Sequence, residues 1–459
     1  MRLKINHSGF LVPVMVCAYL LLCLFAFLAY QGNLNDWVAF MHSEASMALF
    51  GLYTIIGVAG IGATLLFKKG ELRILEAPGK AVNAVFLLAI IVASIVFAWL
   101  TFSATPEHYS WMHDGLTYQQ MAQSFLTNGE FIVDGLFTHH FSPVFPMYLS
   151  LFYTFLPVHL GTQVADFVIF ALSMVIVFFA TKSLYGVTPA LISTGLVATI
   201  PSFIFSTSRN YAEPMVLILY TLTVFFIFES LKPEKGNRIM LAGLFAGLGF
   251  LTKASLGYFF VITGIAGFLW RFCYMKWRVF KNKNYLIAIA VFFALLSTWT
   301  LRNLALFWDG SIWNLWTAAQ PSAYLQEALL YSVSNDVGGA FVQFWFFALL
   351  SLFFLLPYLW ILSPYLNGAM KRIRNEQVSC LLLAITLPIL IGLAMSSVDF
   401  VYENFWMPDY WVSYYPISQM RYLVFTIIRY LFISIVPLSW LAYELANRKH
   451  ELPSIENSL

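Results

Sequence analysis

The sequence predicts an all-α polytopic membrane protein of about 12 transmembrane helices, with interfacial helices in its first large outer loop. Three observations predict it. Of 459 residues, 60% are hydrophobic and only 10% charged, more apolar surface than a soluble chain of this length could hide. Apolar runs suited to a ~30 Å hydrocarbon layer recur at about 10–30, 46–67, 82–103, 163–183, 186–205, 212–231, 238–252, 255–271, 284–304, 338–362, 378–396 and 422–445. Most basic residues fall between these runs rather than within them.

The first run, Phe10 to Tyr30, follows Arg2 and Lys4 and is longer than the apolar core of a cleavable signal, so it reads as an uncleaved helix. It belongs to residues 1–81, two extra N-terminal helices. Residues 82–305 form the transmembrane core, with an outer loop at 104–158. Residues 306–459 hold the C-terminal helices and the outer loops 306–337 and 397–420, without a large soluble domain. The runs 238–252 and 255–271 are short; either they continue through the 253–254 turn or, as the topology below supposes, Lys253 marks a tight hairpin between them. The run "PVFPMYLSLFYTFLP" at 143–157 has Pro at three positions and decides the sidedness of everything after it.

The positive-inside rule arbitrates. If 143–157 does not cross, the stretches MRLK, KKGELRILEAPGK, TKSLYG, KPEKGNR, RFCYMKWRVFKNK, MKRIR and NRK all face the cytoplasm. They hold 20 of the 25 Lys and Arg. If it crossed, every later basic loop would flip outward. The expectation is therefore 12 crossings, both termini cytoplasmic, and 143–157 as a half-inserted or surface helix outside. The four cysteines, Cys17, Cys23, Cys273 and Cys380, show no metal-ligand spacing, and neither disulfide nor zinc is expected.

Five cations break the bias: Arg209, Lys253, Arg302, Arg421 and Arg429. Placing one in a helix costs ~3 kcal/mol on insertion scales, which makes such residues functional candidates. Arg429, one turn into the last helix, reads as structural. The other four stand at outer helix ends in "STSRNYAEP", "GFLTKASLGY", "TWTLRNLALFWD" and "YYPISQMRYLVF". Four cations at one membrane face suit a lipid-linked phosphate. The plainer reading is separate interfacial anchors, or acid pairs such as Arg209 with Glu213 one helical turn apart.

Between Ser103 and Pro143 the chain is too long for a simple connector. In it Leu116, Met121, Ala122, Phe125 and Leu126 recur at near-helical spacing, predicting a short interfacial helix stopped at Asn128-Gly129. Asp114 lies two residues ahead, where a helix dipole favours a carboxylate. It reads plainly as a cap. Opposite several cations it also reads as a base that takes a proton from an acceptor hydroxyl while a phosphate leaves.

The acid-Tyr-Ala pattern of "HDGLTYQQMA" resembles the first outer loop of the GT-C superfamily of polyprenyl-phosphate-sugar glycosyltransferases, which includes protein O-mannosyltransferases and aminoarabinose transferases. So does the Pro-rich "FSPVFPMYLSLFYTFLP". Further resemblances follow in order: "SRNYAEPMVLILYTL", "AGLFAGLGFLTKASLGYFF", "LLSTWTLRN" and "MRYLVFTIIRYLF", so that the likeness runs from about residue 82 to 445.

The resemblance implies a helical bundle with the first outer loop over the site. It implies Asp114 as catalytic base, Glu213 as second acid, and Lys253, Arg302, Arg209 and Arg421 as contacts to the donor's phosphate or lipid. Candidate substrate contacts are His113, Tyr118, His139, His140 and Asn303, with an interfacial aromatic as the plainer reading of Tyr118. Relatives with two adjacent acids differ from His113-Asp114 here, and one carboxylate beside one His makes a poor divalent-metal site, so no cofactor is certain and a divalent metal stays open without support from the motif. The implied partners are a polyprenyl-phosphate-linked sugar (undecaprenyl phosphate in a bacterium), a glycan, lipid or protein acceptor, and membrane lipids, with no nucleic acid. The implied reaction is an inverting transfer to a hydroxyl on the non-cytoplasmic face of a bacterial inner membrane. Two alternatives stand beside it: a surface-polysaccharide polymerase or ligase, and a lipid or glycolipid transporter (a flippase). The first usually carries a large late loop with an essential His or Arg, and the second would show mid-membrane charges, internal repeats or paired broken helices.

Overall fold

The structure, a computed structural model, describes residues 113–138, 141–198, 203, 206–207, 210–230, 233–275, 282–308, 310, 432–433, 435–440 and 443. The helices expected in 1–103, the later crossings up to 431 and the loop 397–420 lie outside the described residues, as do Arg209, Arg421, His139, His140 and the side chain of His113.

What is described is mostly helical. Helix α1 spans His113–Asn128. A two-stranded hairpin follows, β1 Ile132–Val133 and β2 Leu136–Phe137. Then come α2 Val144–Tyr153, α3 Val158–Tyr185, α4 Val187–Ala198, α5 Glu213–Ser230, α6 Ile239–Phe250, α7 Gly257–Met275 and α8 Lys283–Phe307. By length and hydropathy, α3, α5 and α8 qualify as candidate membrane spans.

Helix α1 carries Asp114 in its first turn, rather than ahead of it, and Gly129 ends it at φ +72° with its N–H on the Phe125 carbonyl. Its buried stripe is Tyr118, Met121, Ala122 and the partly buried Phe125, packed against α2 and α3 and against Trp299 of α8. Leu116 and Leu126, members of the apolar set predicted for this interfacial helix, are exposed. Tyr118, four residues before Ala122, sets the stripe instead, because its ring packs between Phe141 and Phe145 at edge-to-face distances of 5.4 and 5.1 Å.

Helix α2, with 10 residues, is about 15 Å long, half of a hydrocarbon layer. Pro146 falls in its first turn, where helix N–H groups lack intrahelical partners anyway. The Tyr148 hydroxyl donates to the Ala165 carbonyl (2.7 Å) and the Tyr153 hydroxyl meets Thr162 Oγ1 (2.6 Å), folding α2 back along the start of α3.

Helices α6 and α8 run side by side in the same direction. Gly243 lies against the Ala288 backbone and Gly247 against Leu295; a Cβ on Gly243 would stand 2.3 Å from the Ala288 carbonyl oxygen. Helix α5 fixes the polarity of the group. Glu213 in its first turn meets Lys253, and Glu229 in its last turn meets Lys235 at 2.6 Å. Lys235 and Arg238 lie just before α6, and Lys283 opens α8 beside the Ile239 end of α6. Thr181, next to Lys182, bonds Trp440, whose ring packs on Phe228 near the end of α5. The described basic ends Lys182, Lys235, Arg238 and Lys283 thus gather at one end of the bundle, and Glu213 and Lys253 at the other.

The glycine contact predicts an asymmetry. Gly243→Ala should lower stability by about 1–3 kcal/mol through overpacking, read as thermal unfolding in detergent. Gly264→Ala, with nothing within 4 Å of its added Cβ, should be neutral or mildly stabilising.

Candidate active site

The site is built on the break between α6 and α7. After Leu251 the helix gives way; Lys253 takes an extended conformation (φ −152°, ψ 101°), and one 3-10 turn, Ala254–Leu256, leads into α7. Two hydrogen bonds stitch this turn to the strand of chain entering α2. The Ala254 N–H donates to Ser142 Oγ (2.9 Å), and the Val144 N–H donates to the Leu251 carbonyl (3.1 Å).

With its backbone fixed, Lys253 reaches between two carboxylates. Its Nζ lies 2.8 Å from Asp114 Oδ2 and 3.0 Å from Glu213 Oε1. The three side chains differ in exposure: Glu213 0%, Lys253 8%, Asp114 27%. Asp114 is therefore the member of the triad that a substrate can reach, and Glu213 holds Lys253 from beneath. Both acids stand in the first turn of a helix, where the dipole favours negative charge. Asn210, held at φ +57° and buried, donates from Nδ2 to the Gly115 carbonyl at 3.3 Å and so ties the start of α1 to the entry of α5.

Arg302, near the end of α8, bonds elsewhere. Its Nη2 and Nε donate to Glu130 Oε2 (2.8 and 3.3 Å), and its Nη1 donates to the Thr138 carbonyl (2.7 Å) and Asn303 Oδ1 (3.1 Å). The guanidinium also lies 4.6 Å from the Trp299 ring centre. None of these bonds goes to the Lys253 triad, although α6 and α8 bring both cations to the same end of the bundle. The hairpin that Arg302 grips turns at Asp134-Gly135, both at positive φ. Asp134 Oδ1 accepts from Gln120 Nε2 of α1 (3.1 Å).

Of the sequence-derived candidates, Asp114, Glu213 and Lys253 meet. Tyr118 is buried as a packing ring, away from any surface a substrate could reach. Asn303 is fully buried, with Nδ2 lacking a hydrogen-bond partner among the described residues. Glu130, Thr138, Ser142, Asn210 and Trp299 were not anticipated. The Asp-Gly of "FIVDGLF" is a strong hairpin signal that could have drawn attention to 130–138. Among the described residues no three His, Cys, Asp or Glu converge as metal ligands. The Lys253 ammonium stands where a divalent cation bridging Asp114 and Glu213 would have to sit.

Residues 141–301 match the model of the dolichyl-phosphate-mannose-protein mannosyltransferase family. The matched segment runs from just before α2 nearly to Arg302 and holds Glu213 and Lys253, while Asp114 precedes it. Over this segment the resemblance to GT-C glycosyltransferases drawn from the motifs holds. Among solved structures the chain is similar to crystal structures of ArnT from Cupriavidus metallidurans. It shares 10% identity with the form bound to undecaprenyl phosphate over 77% of each chain (TM-score 0.39). With the apo form it shares 13% over 78% of each (TM-score 0.37). No curated protein matches the sequence.

The triad predicts a coupled stability effect. Lys253→Met should cost about 3–5 kcal/mol because it strips a buried carboxylate of its cation. Adding Glu213→Gln should recover part of that loss, measured by unfolding of the two variants side by side.

Proposed function

We propose that the protein is an integral-membrane glycosyltransferase that moves a sugar from a polyprenyl-phosphate carrier to an acceptor hydroxyl, with inversion at the anomeric carbon. The observation that carries the reading is the partly exposed Asp114 carboxylate, held on Lys253 at the end of the bundle away from the described basic loops. The family match over 141–301, named for a dolichyl-phosphate sugar donor, supports it.

In this reading the acceptor hydroxyl attacks the anomeric carbon and gives its proton to Asp114. The sugar–phosphate bond breaks, and polyprenyl phosphate departs carrying the electron pair. A single displacement from the opposite face inverts the centre, as in inverting glycosidases. Lys253 keeps the Asp114 carboxylate oriented, and Glu213 keeps Lys253 in place. Arg302 supplies positive charge for the departing phosphate, together with Arg209 and Arg421; charge aimed at a leaving group is most effective where it is already fixed in position.

The direction of the basic ends supports a site on the non-cytoplasmic face of a bacterial inner membrane, with both termini cytoplasmic. The acceptor is a hydroxyl-bearing glycan, lipid or protein. Asp114→Asn keeps the shape of the side chain and removes the base. It should lower sugar transfer from a polyprenyl-phosphate sugar in membranes by about 100-fold or more, with the protein still inserted and folded. Full activity in this variant would sink the catalytic assignment.

A further inference from the structure

Three N–H groups converge on one oxygen at the far end of the outer loop. Glu130 Oε2 accepts from Arg302 Nη2 (2.8 Å), from Arg302 Nε (3.3 Å) and from the Phe131 backbone N–H (3.3 Å). The guanidinium therefore has two edges with different surroundings. Its Nη1 edge is committed to the Thr138 carbonyl and Asn303. Among the described residues, its Nε–Nη2 edge bonds a carboxylate that is itself 40% exposed, while Arg302 is 15% exposed. The Trp299 face fixes the plane of the fork.

We propose that Glu130 is an internal stand-in for the phosphate of the lipid carrier: it fills an anion cradle made by Arg302 and the Phe131 amide, and it swings out when the phosphate enters. The proposal rests on the lipid-phosphate reading above. A guanidinium fork accepts carboxylate and phosphate oxygens with the same geometry, so the two anions compete for one position. Glu130 is suited to leave. Its carbonyl is held by Ser124 Oγ at 2.8 Å, so the backbone stays while the side chain changes rotamer. Two anions cannot share the cradle without repulsion, so phosphate entry and Glu130 departure are one event. Neutral sugars and acceptors offer no charge in exchange and leave the pair closed.

The test is binding of undecaprenyl phosphate, and separately of inorganic phosphate, to the full chain in detergent by calorimetry, beside the KM for the sugar-linked donor. Glu130→Gln removes the competing charge and should bind undecaprenyl phosphate about tenfold more tightly if the wild-type cradle is closed roughly nine times in ten. The donor KM should fall in parallel. Glu130→Asp, one methylene shorter, should gain less. Arg302→Gln should lose the binding in either background. A gain confined to undecaprenyl phosphate means the cradle reads the headgroup with its lipid; a gain with inorganic phosphate as well means the headgroup suffices, and both support the exchange. Unchanged or weaker binding in a Glu130→Gln protein that unfolds at the wild-type temperature overturns it. If Glu130→Gln unfolds earlier, Glu130→Asp decides by the same binding criterion. A wild-type protein that binds the lipid phosphate yet transfers no sugar would defeat the glycosyltransferase reading and leave the cradle standing.

Discussion

A buried ammonium must have its counter-charge close by, and Lys253 takes it from two directions. Asp114 arrives from a helix 139 residues earlier in the chain, and Glu213 from the first turn of α5. Removing Lys253 leaves the buried Glu213 with a charge that the apolar surroundings cannot solvate, whereas removing either acid leaves the ammonium paired with the other. The contact therefore constrains far more than a local turn. It fixes where α1 begins, how deep α5 starts, and which way the α6–α7 break points. The Asn210 bond to the Gly115 carbonyl joins two of the segments that Lys253 has already drawn together, and the Ala254 bond to Ser142 ties the chain entering α2 to the same break.

The segment 113–138 is held at both ends by a cation from the bundle. Lys253 holds its start, and Arg302 holds the hairpin beyond its end. These cations keep their relative depth because α6 and α8 pack in the same direction, with Gly243 admitting the Ala288 backbone. In the glycosyltransferase reading proposed above, a loop anchored at two points on a rigid pair of helices keeps the base in register while substrates come and go. Precise placement matters for such chemistry, because small displacements of a reacting group lose much of the rate.

Much of this was legible in the sequence, and the reasons differ residue by residue. Lys253 and Arg302 stood out because cations are rare away from the basic loops, and Glu213 through the motif "SRNYAEP". The α1 helix and its stop at Asn128-Gly129 followed from periodicity and from the need for positive φ at Gly129. The break at Lys253 fell where two short runs meet at 253–254, a place the sequence offered as a hairpin or a continuation. What charge bias conveys, however, is a side of the membrane and not a partner. It placed Arg302 among the phosphate contacts without showing that Glu130 and Thr138 already fill its donors. Periodicity likewise gave α1 a buried face but could not rank Leu116 against Tyr118, a choice made by the Phe141 and Phe145 rings far along the chain.

The two cations also differ in kind, in a way that matches their surroundings. Lysine carries a compact charge on a flexible stem with three donors pointing apart, which suits Nζ sitting between carboxylates from different helices. Arginine carries a flat fork whose edges can be assigned separately. At Arg302 one edge is spent on a backbone carbonyl and a buried amide, and the other meets a half-exposed carboxylate. A lysine at 302 could not hold the hairpin with one edge while presenting a bidentate face with the other. An arginine at 253 would force a planar fork between two acids that approach from separate segments. The division of labour between a buried strut and an exchangeable anion site is therefore written into which basic residue stands at each helix end.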